Sequence, residues 1–311
     1  TILLAVPMTL VVCKQLNVSP VPFILSQVFA SNIGGAATLV GDPPNIIIAS
    51  RANLSFNDFL VHMAPWVIVV MMVITPMLVF MFRKELVNTA ADRARIDKLD
   101  EKSYLKDKVL LKKSLFVLGA VMIAFVLHTA LHLEPSIVAM LGAGVLVGIS
   151  RLKPKDYAMD VEWATLVFFA GLFIMVGALV KTGALGEFAK FLKDQVGDQA
   201  SLAAMVLLFV SAILSGIIDN IPYVASMSPV VTELSAGISE QYGDVLWWAL
   251  AFGADFGGNA TIIGASANVV AIGLAHKAGI KISFWQFAKY GIPVTLVSVA
   301  MVAPYILIRY F

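Results

Sequence analysis

The sequence predicts an all-α polytopic membrane protein built as an inverted repeat, with re-entrant hairpins and two broken transmembrane helices, and three observations predict it. The chain of 311 residues is 59% hydrophobic and only 14% charged, which would show water too much apolar surface for a soluble domain. Runs free of charge, or nearly so, recur at 63–82, 114–131, 135–150, 161–180 (with Glu162 at its edge), 199–218 and 290–308. Most of them can cross about 30 Å of hydrocarbon at roughly 1.5 Å per residue. Two glycine-interrupted polar stretches match each other 223 positions apart: Gly34-Gly35-Ala36-Ala37-Thr38-Leu39-Val40-Gly41-Asp42-Pro43-Pro44-Asn45 and Gly257-Gly258-Asn259-Ala260-Thr261-Ile262-Ile263-Gly264-Ala265-Ser266-Ala267-Asn268. A repeated break inside apolar spans marks a secondary transporter, whose site lies between two structural repeats near the bilayer midplane.

The organisation follows from where charge falls. Residues 83–113 hold ten basic and six acidic side chains and no spanning run, so they read as a solvated linker on the cytoplasmic side. The linker divides 1–82, the later part of the first repeat (hairpin arm, broken helix, one span), from 114–311, the second repeat. That second repeat holds three spans, an amphipathic stretch at 181–198 with Leu185, Phe188, Leu192 and Val196 at helical spacing, a hairpin at 199–237, a broken helix and a last span. Seventeen of the 22 Lys and Arg then fall on one side, which the positive-inside rule makes cytoplasmic, leaving the C-terminus outside. An odd number of crossings separates the halves, so they insert in opposite senses. The same offset places Thr1 just beyond the hairpin tip of the second half, so the first hairpin's tip and three further spans are expected ahead of it in a longer protein. The lone Cys13 excludes an internal disulfide or a cysteine-rich metal cage made by this chain alone.

The chemistry concentrates at the breaks. In the first, Gly41 permits unwinding, Pro43 and Pro44 restart a helix, Asp42 stands where an N-cap would, and Thr38 and Asn45 add neutral polar groups. In the second, Asn259, Thr261, Gly264, Ser266 and Asn268 supply the same set, Ala265-Ser266-Ala267 replaces Asp-Pro-Pro, and the carboxylate moves to Asp255, at the position matched by Asn32. An ionisable group at that depth is functional by default. The hairpin tip Asp219-Asn220-Ile221-Pro222 faces the pathway by the same logic, although Asp219 could simply cap the returning arm. His62, His128, His132 and His276 read as solvated residues at span ends, and Trp163, Trp247, Trp248 and Trp285 as headgroup-level anchors. No Gly-x-Ser-x-Gly or His-Glu-x-x-His pattern supports a membrane-embedded hydrolase, so no catalytic residue and no metal site is assigned.

These stretches, with Ser31-Asn32-Ile33-Gly34-Gly35, Val161-Glu162-Trp163-Ala164-Thr165-Leu166 and the hairpin tip, together resemble the ArsB/NhaD branch of the ion transporter superfamily, the group of arsenite permeases, sodium/proton antiporters and melanosomal P protein-like carriers. The resemblance covers essentially the whole chain. It implies an elevator-type fold in which hairpins and broken helices move against a scaffold, and a homodimer in the cell membrane. Asp219, Asn220, Gly264 and Asn268 would line one ion or substrate site, and Thr38, Gly41 and Asn45 the other. The expected function is secondary active transport of a small inorganic ion such as arsenite, antimonite or Na+, coupled to H+ or Na+, with lipid and that ion as partners, no other cofactor and no nucleic acid. A dicarboxylate or citrate-type sodium symporter is the alternative, weakened by aspartates at the tips that would repel a multiply charged anion. A passive channel is the remaining rival.

Overall fold

A computed structural model describes residues 1–85, 107–150, 161, 163–196, 199–236 and 240–311. Most of the charged linker, and three of the seventeen basic residues counted on the cytoplasmic side, Arg151, Lys153 and Lys155, lie outside the described residues. Within them every regular element is a helix. The first half runs α1 (Ile2–Leu16), α2 (Val21–Gly35), α3 (Pro43–Ala52), α4 (Phe56–His62) and α5 (Ala64–Phe82). The second runs α6 (Lys108–Leu131), α7 (Pro135–Ser150), α8 (Trp163–Lys181), α9 (Ala184–Val196), α10 (Ala200–Ile217), α11 (Asn220–Ala236), α12 (Glu240–Gly257), a single 3₁₀ turn at Ile262–Gly264, α13 (Ser266–Lys277) and α14 (Phe284–Tyr310). Among the described residues, α5, α6, α10 and α14 are long and apolar enough to cross a membrane.

Local chemistry sets the ends. Prolines occupy the first turns of α2, α3 and α5, where a missing N–H costs nothing. Ser55 and Asp58 form a reciprocal capping box at the head of α4. The sequence places the start of the sixth helix at 114, but Asp107 accepts from the backbone N–H groups of Val109 and Leu110, at 2.9 Å each, and α6 starts at Lys108. A strong cap carries the helix back through Lys112 and Lys113, which hydropathy alone excludes.

Both breaks fall where the repeat predicts. Helix α2 ends at Gly35 and α3 begins at Pro43, while α12 ends at Gly257 and α13 begins at Ser266. The N-cap residues Asp42 and Ala265 share an extended backbone, with φ and ψ of −137° and 141° against −152° and 146°. The stretch read as a hairpin is two helices, α10 and α11, parted at Ile218, whose backbone is extended. The two halves seat on each other crosswise. Helix α1 packs on α13 while α11 packs on α3, and α2 touches α13 while α12 touches α3. Helices α10 and α12 approach most closely, because a Cβ on Gly253 or Gly257 would stand 2.6 or 2.5 Å from the carbonyl oxygens of Leu208 and Ala212.

Two readings of interfacial residues are corrected. Trp163 and Trp285 are exposed, but Trp247 and Trp248 are buried, so they are core residues rather than headgroup anchors. His62 is not a solvated span end: its ring stacks on Trp248 at 4.9 Å and on Tyr310 at 5.8 Å between centroids, and its Nδ1 lies 2.6 Å from Tyr310 Oη. His128 is also engaged, its Nε2 accepting from the Phe56 N–H at 3.1 Å and so tying α4 to α6. Periodicity reports a stripe but not which aromatic finds a partner from another helix.

Burial, reinforced by Arg309, pushes the His62 imidazole below its ordinary value of 6.5, against the opposing pull of Asp58 and Asp244. A histidine held neutral in the fold contributes its full stability above 6.5 and loses it as the pH falls below that value. Thermal unfolding in detergent at about pH 8 and about pH 5 is therefore expected to show a loss on acidification that His62→Phe, which keeps the stacking, diminishes. An equal acid sensitivity in the variant would refute the assignment.

Candidate functional site

The site begins with the problem each break creates. Unwinding a helix frees carbonyls that hydrocarbon cannot satisfy, so the protein must supply donors. Asn45 does this in the first copy, its Nδ2 donating to Gly35 O at 3.3 Å and Thr38 O at 3.1 Å. Asn268 does the same in the second, donating to Gly258 O at 2.7 Å and Thr261 O at 2.8 Å. The pairs are equivalent at the repeat spacing. The backbone bonds follow suit: Gly41 N to Thr38 O matches Gly264 N to Thr261 O, and Asn45 N to Asp42 O matches Asn268 N to Ala265 O, all at 3.1–3.2 Å.

Glycine is required where each break folds back on itself. A Cβ on Gly264 would stand 2.7 Å from Gly258 O, and one on Gly41 closer still to Gly35 O. Gly41 and Gly264 thus shape the site by letting backbone meet backbone.

Several predicted site residues come together. Asp42 takes the N-cap backbone position but its side chain makes no capping bond; it accepts instead from Asn220 Nδ2 at 3.2 Å, across 178 positions of sequence. The hairpin tip of one half is thereby joined to the first break. Asp219 caps the returning arm, its Oδ1 accepting from the Ile221 N–H at 3.0 Å, and it acts electrostatically on Asp42. Asp42 acts in turn on Asp255, which is fully buried. Asn45, Asn220, Asn259 and Asn268 are buried beside them.

Other predicted residues contribute differently. Thr38 offers its carbonyl to Asn45, while the residue lines an apolar cavity of about 380 Å³ with Phe56, Leu60 and Met122. Thr261 spends its hydroxyl on Gly216 O at 2.6 Å, bolting the second break to α10. Ser266, in the place of Pro43, is exposed. Asn32 is the member that motif reasoning leaves out of the site: its Nδ2 donates to Asn259 Oδ1 at 3.0 Å and Asn268 Oδ1 at 2.9 Å, linking the two copies. Its position opposite Asp255 in the repeat is the signal that could have found it. Ser215 and Thr295 also bond the end of α12, to Ala254 O at 2.6 Å and Phe256 O at 3.1 Å.

The electrostatics are one-sided. Asn45 Oδ1, Asn220 Oδ1 and both oxygens of Asp255 are buried acceptors that no described donor reaches, against a single buried donor of this kind nearby, Asn259 Nδ2. Among the described residues, no positive charge acts on Asp42, Asp219 or Asp255. Buried acceptors of this kind call for donors that the described side chains do not supply.

Apolar spanning helices around two paired breaks with a polar centre define an integral membrane transporter. The chain belongs to the citrate transporter family, whose sequence model matches residues 1–253. It is 52% identical over 311 residues to a "46 kDa membrane protein" of Mycobacterium leprae, covering 100% of this chain and 72% of the relative. It is 53% identical over 313 residues to an "uncharacterized transporter" of Mycobacterium tuberculosis, again covering 100% and 72%. The human P protein is 32% identical over 391 residues, covering 100% of this chain and 46% of that protein. The family and these named relatives include transporters and no enzyme, in keeping with a chain that is a transporter and not an enzyme.

Proposed function

We propose that the protein is a secondary active transporter of the cytoplasmic membrane that moves a small inorganic ion, of the arsenite, antimonite or Na+ kind, in exchange for or coupled to protons. The surplus of buried acceptors at the crossing of the two broken helices carries this reading, because such acceptors are met by Na+, by a coupling proton or by the O–H groups of an undissociated arsenite. The crosswise seating of the two halves supports alternating access, since a shift of one half reorganises the cover of both breaks together. The charge bias along the sequence supports a cytoplasmic linker and an external C-terminus.

Citrate-type transport is the second reading, favoured by the family match. Against it stand Asp42, Asp219 and Asp255, three acidic groups with no opposing cation acting on them among the described residues. Uptake into proteoliposomes under imposed proton or sodium gradients, with arsenite or citrate as solute, separates the readings. Proton-driven accumulation of the inorganic ion is expected, slowed at least about tenfold by Asp42→Asn or Asp219→Asn, the scale of one lost charge-assisted contact of about 1.5 kcal/mol. Citrate accumulation with no inorganic ion flux would establish the second reading, and currents far above carrier turnover would establish a channel.

A further inference from the structure

We infer that Asp255 holds the transported proton and donates it to Asn45 Oδ1, an acid-to-amide bond that replaces, in one copy of the repeat, the amide-to-amide bond found in the other. The inference rests on the reading of the protein as a proton-coupled carrier and identifies where the proton rides.

The argument is a count of hydrogens. In one half of the site, Asn268 commits both Nδ2 hydrogens to Gly258 O and Thr261 O, so it can offer its neighbour only Oδ1. That neighbour is Asn32, which donates to it at 2.9 Å and gives its other hydrogen to Asn259 Oδ1. The repeat carries the same arrangement to the other half, where Asn45 takes the place of Asn268 and Asp255 that of Asn32. Asn45 likewise commits both Nδ2 hydrogens, to Gly35 O and Thr38 O, and its Oδ1 is left bare. Asn45 and Asp255 stand on helices that pack together, and Asn45 Oδ1 and both Asp255 oxygens are buried without a partner, yet Asn45 has no hydrogen left to give a carboxylate. Only a carboxylic acid, donating, completes the pair.

The stoichiometry agrees. Asn32 has two hydrogens and two acceptors, whereas the residue matching Asn259 in the other copy is Ala36, so Asp255 has one acceptor to serve. A carboxylic acid has one hydrogen to give. Among the described residues, Asn259 Nδ2 is the nearby buried donor left without a partner, and Asn220 on α11 gives Asp42 one of its two hydrogens. Of the helices packed on α12, α2 contributes Asn32, already committed, and α10 contributes Ser215, committed to Ala254 O. Helix α14 contributes Thr295, committed to Phe256 O, and α11 contributes Tyr223, paired with Ser211 Oγ at 2.9 Å. Helix α3 contributes Asn45 and, at its head, Asp42, a second carboxyl group already paired with Asn220. Asp219 at the head of α11 is a third, acting electrostatically on Asp42. The proton leaves Asp255 when the two broken helices part and water reaches the carboxyl group, and it returns from the opposite side.

Difference infrared spectroscopy on the intact, purified transporter at neutral pH reads the acid directly. A carbonyl stretch of a protonated carboxyl group is expected in the wild type, lost in Asp255→Asn and displaced in Asn45→Ala, which keeps the acid and removes its acceptor. In proteoliposomes, Asp255→Asn is expected to lose accumulation driven by a pH gradient, and Asp255→Glu to retain it. A carboxyl band that neither variant changes, or pH-driven accumulation intact in Asp255→Asn, overturns the inference; should Asp255→Asn fail to fold, Asn45→Ala decides it. The failure of the carrier reading looks different, because the wild type would then show no gradient-driven uptake while the infrared band still obeyed Asp255.

Discussion

Alanine at position 268 is expected to abolish transport and to remove about 2–4 kcal/mol of stability, by stranding Gly258 O in the interior and releasing Asn32 from one of its acceptors. Asn45→Ala is expected to cost less. Its bonds are longer, at 3.1 and 3.3 Å against 2.7 and 2.8 Å. In both copies the second carbonyl keeps a backbone donor, Gly41 N for Thr38 O and Gly264 N for Thr261 O, so one stranded group dominates each substitution. Thermal unfolding in detergent, paired with proteoliposome uptake, checks the order. An Asn45→Ala variant as damaged as Asn268→Ala would mean that the hydrogen bonds do not set the strength of the breaks.

The second large effect is expected at the glycines where each break crosses itself. Gly264→Ala puts a methyl group 2.7 Å from Gly258 O, and neither backbone can retreat while Asn268 holds Gly258 O and Thr261 O together. Overpacking of this kind costs about 1–3 kcal/mol, and since the crossing is the site, uptake is expected to fall by at least about tenfold even where the protein still folds. Gly41→Ala is expected to behave alike. Gly34→Ala and Gly273→Ala are the controls, because an added Cβ there meets nothing within 4 Å, and both are expected to transport normally. If the controls proved as harmful as the crossing positions, chain flexibility and not close approach would be the reason for glycine.

Much of the fold was legible because the strongest local signals coincide with its breaks. Pro43 and Pro44 can only begin a helix, Gly41 and Gly264 can only sit where backbones touch, and the 223-residue spacing pairs residues that make equivalent hydrogen bonds. Local sequence was weaker where a partner comes from far away. Asp42 looks like a helix cap, and its real partner, Asn220, belongs to the hairpin of the other half. Trp248 and His62 look like interfacial residues until α4, α12 and α14 are brought together. Asn32, a neutral amide in a glycine-rich stretch, draws attention only beside its acidic counterpart Asp255.

The crosswise seating of the halves bears on how the molecule is made. Helix α3 leaves the ribosome long before α11 and α12, which cover it, and Asp42 waits through 178 further residues before Asn220 exists. Neither half can therefore complete its own interior, and the early one enters the lipid with its polar seam still open. Synthesised as separate polypeptides, the halves would be assembly subunits rather than domains, each stable in the bilayer only once the other arrives.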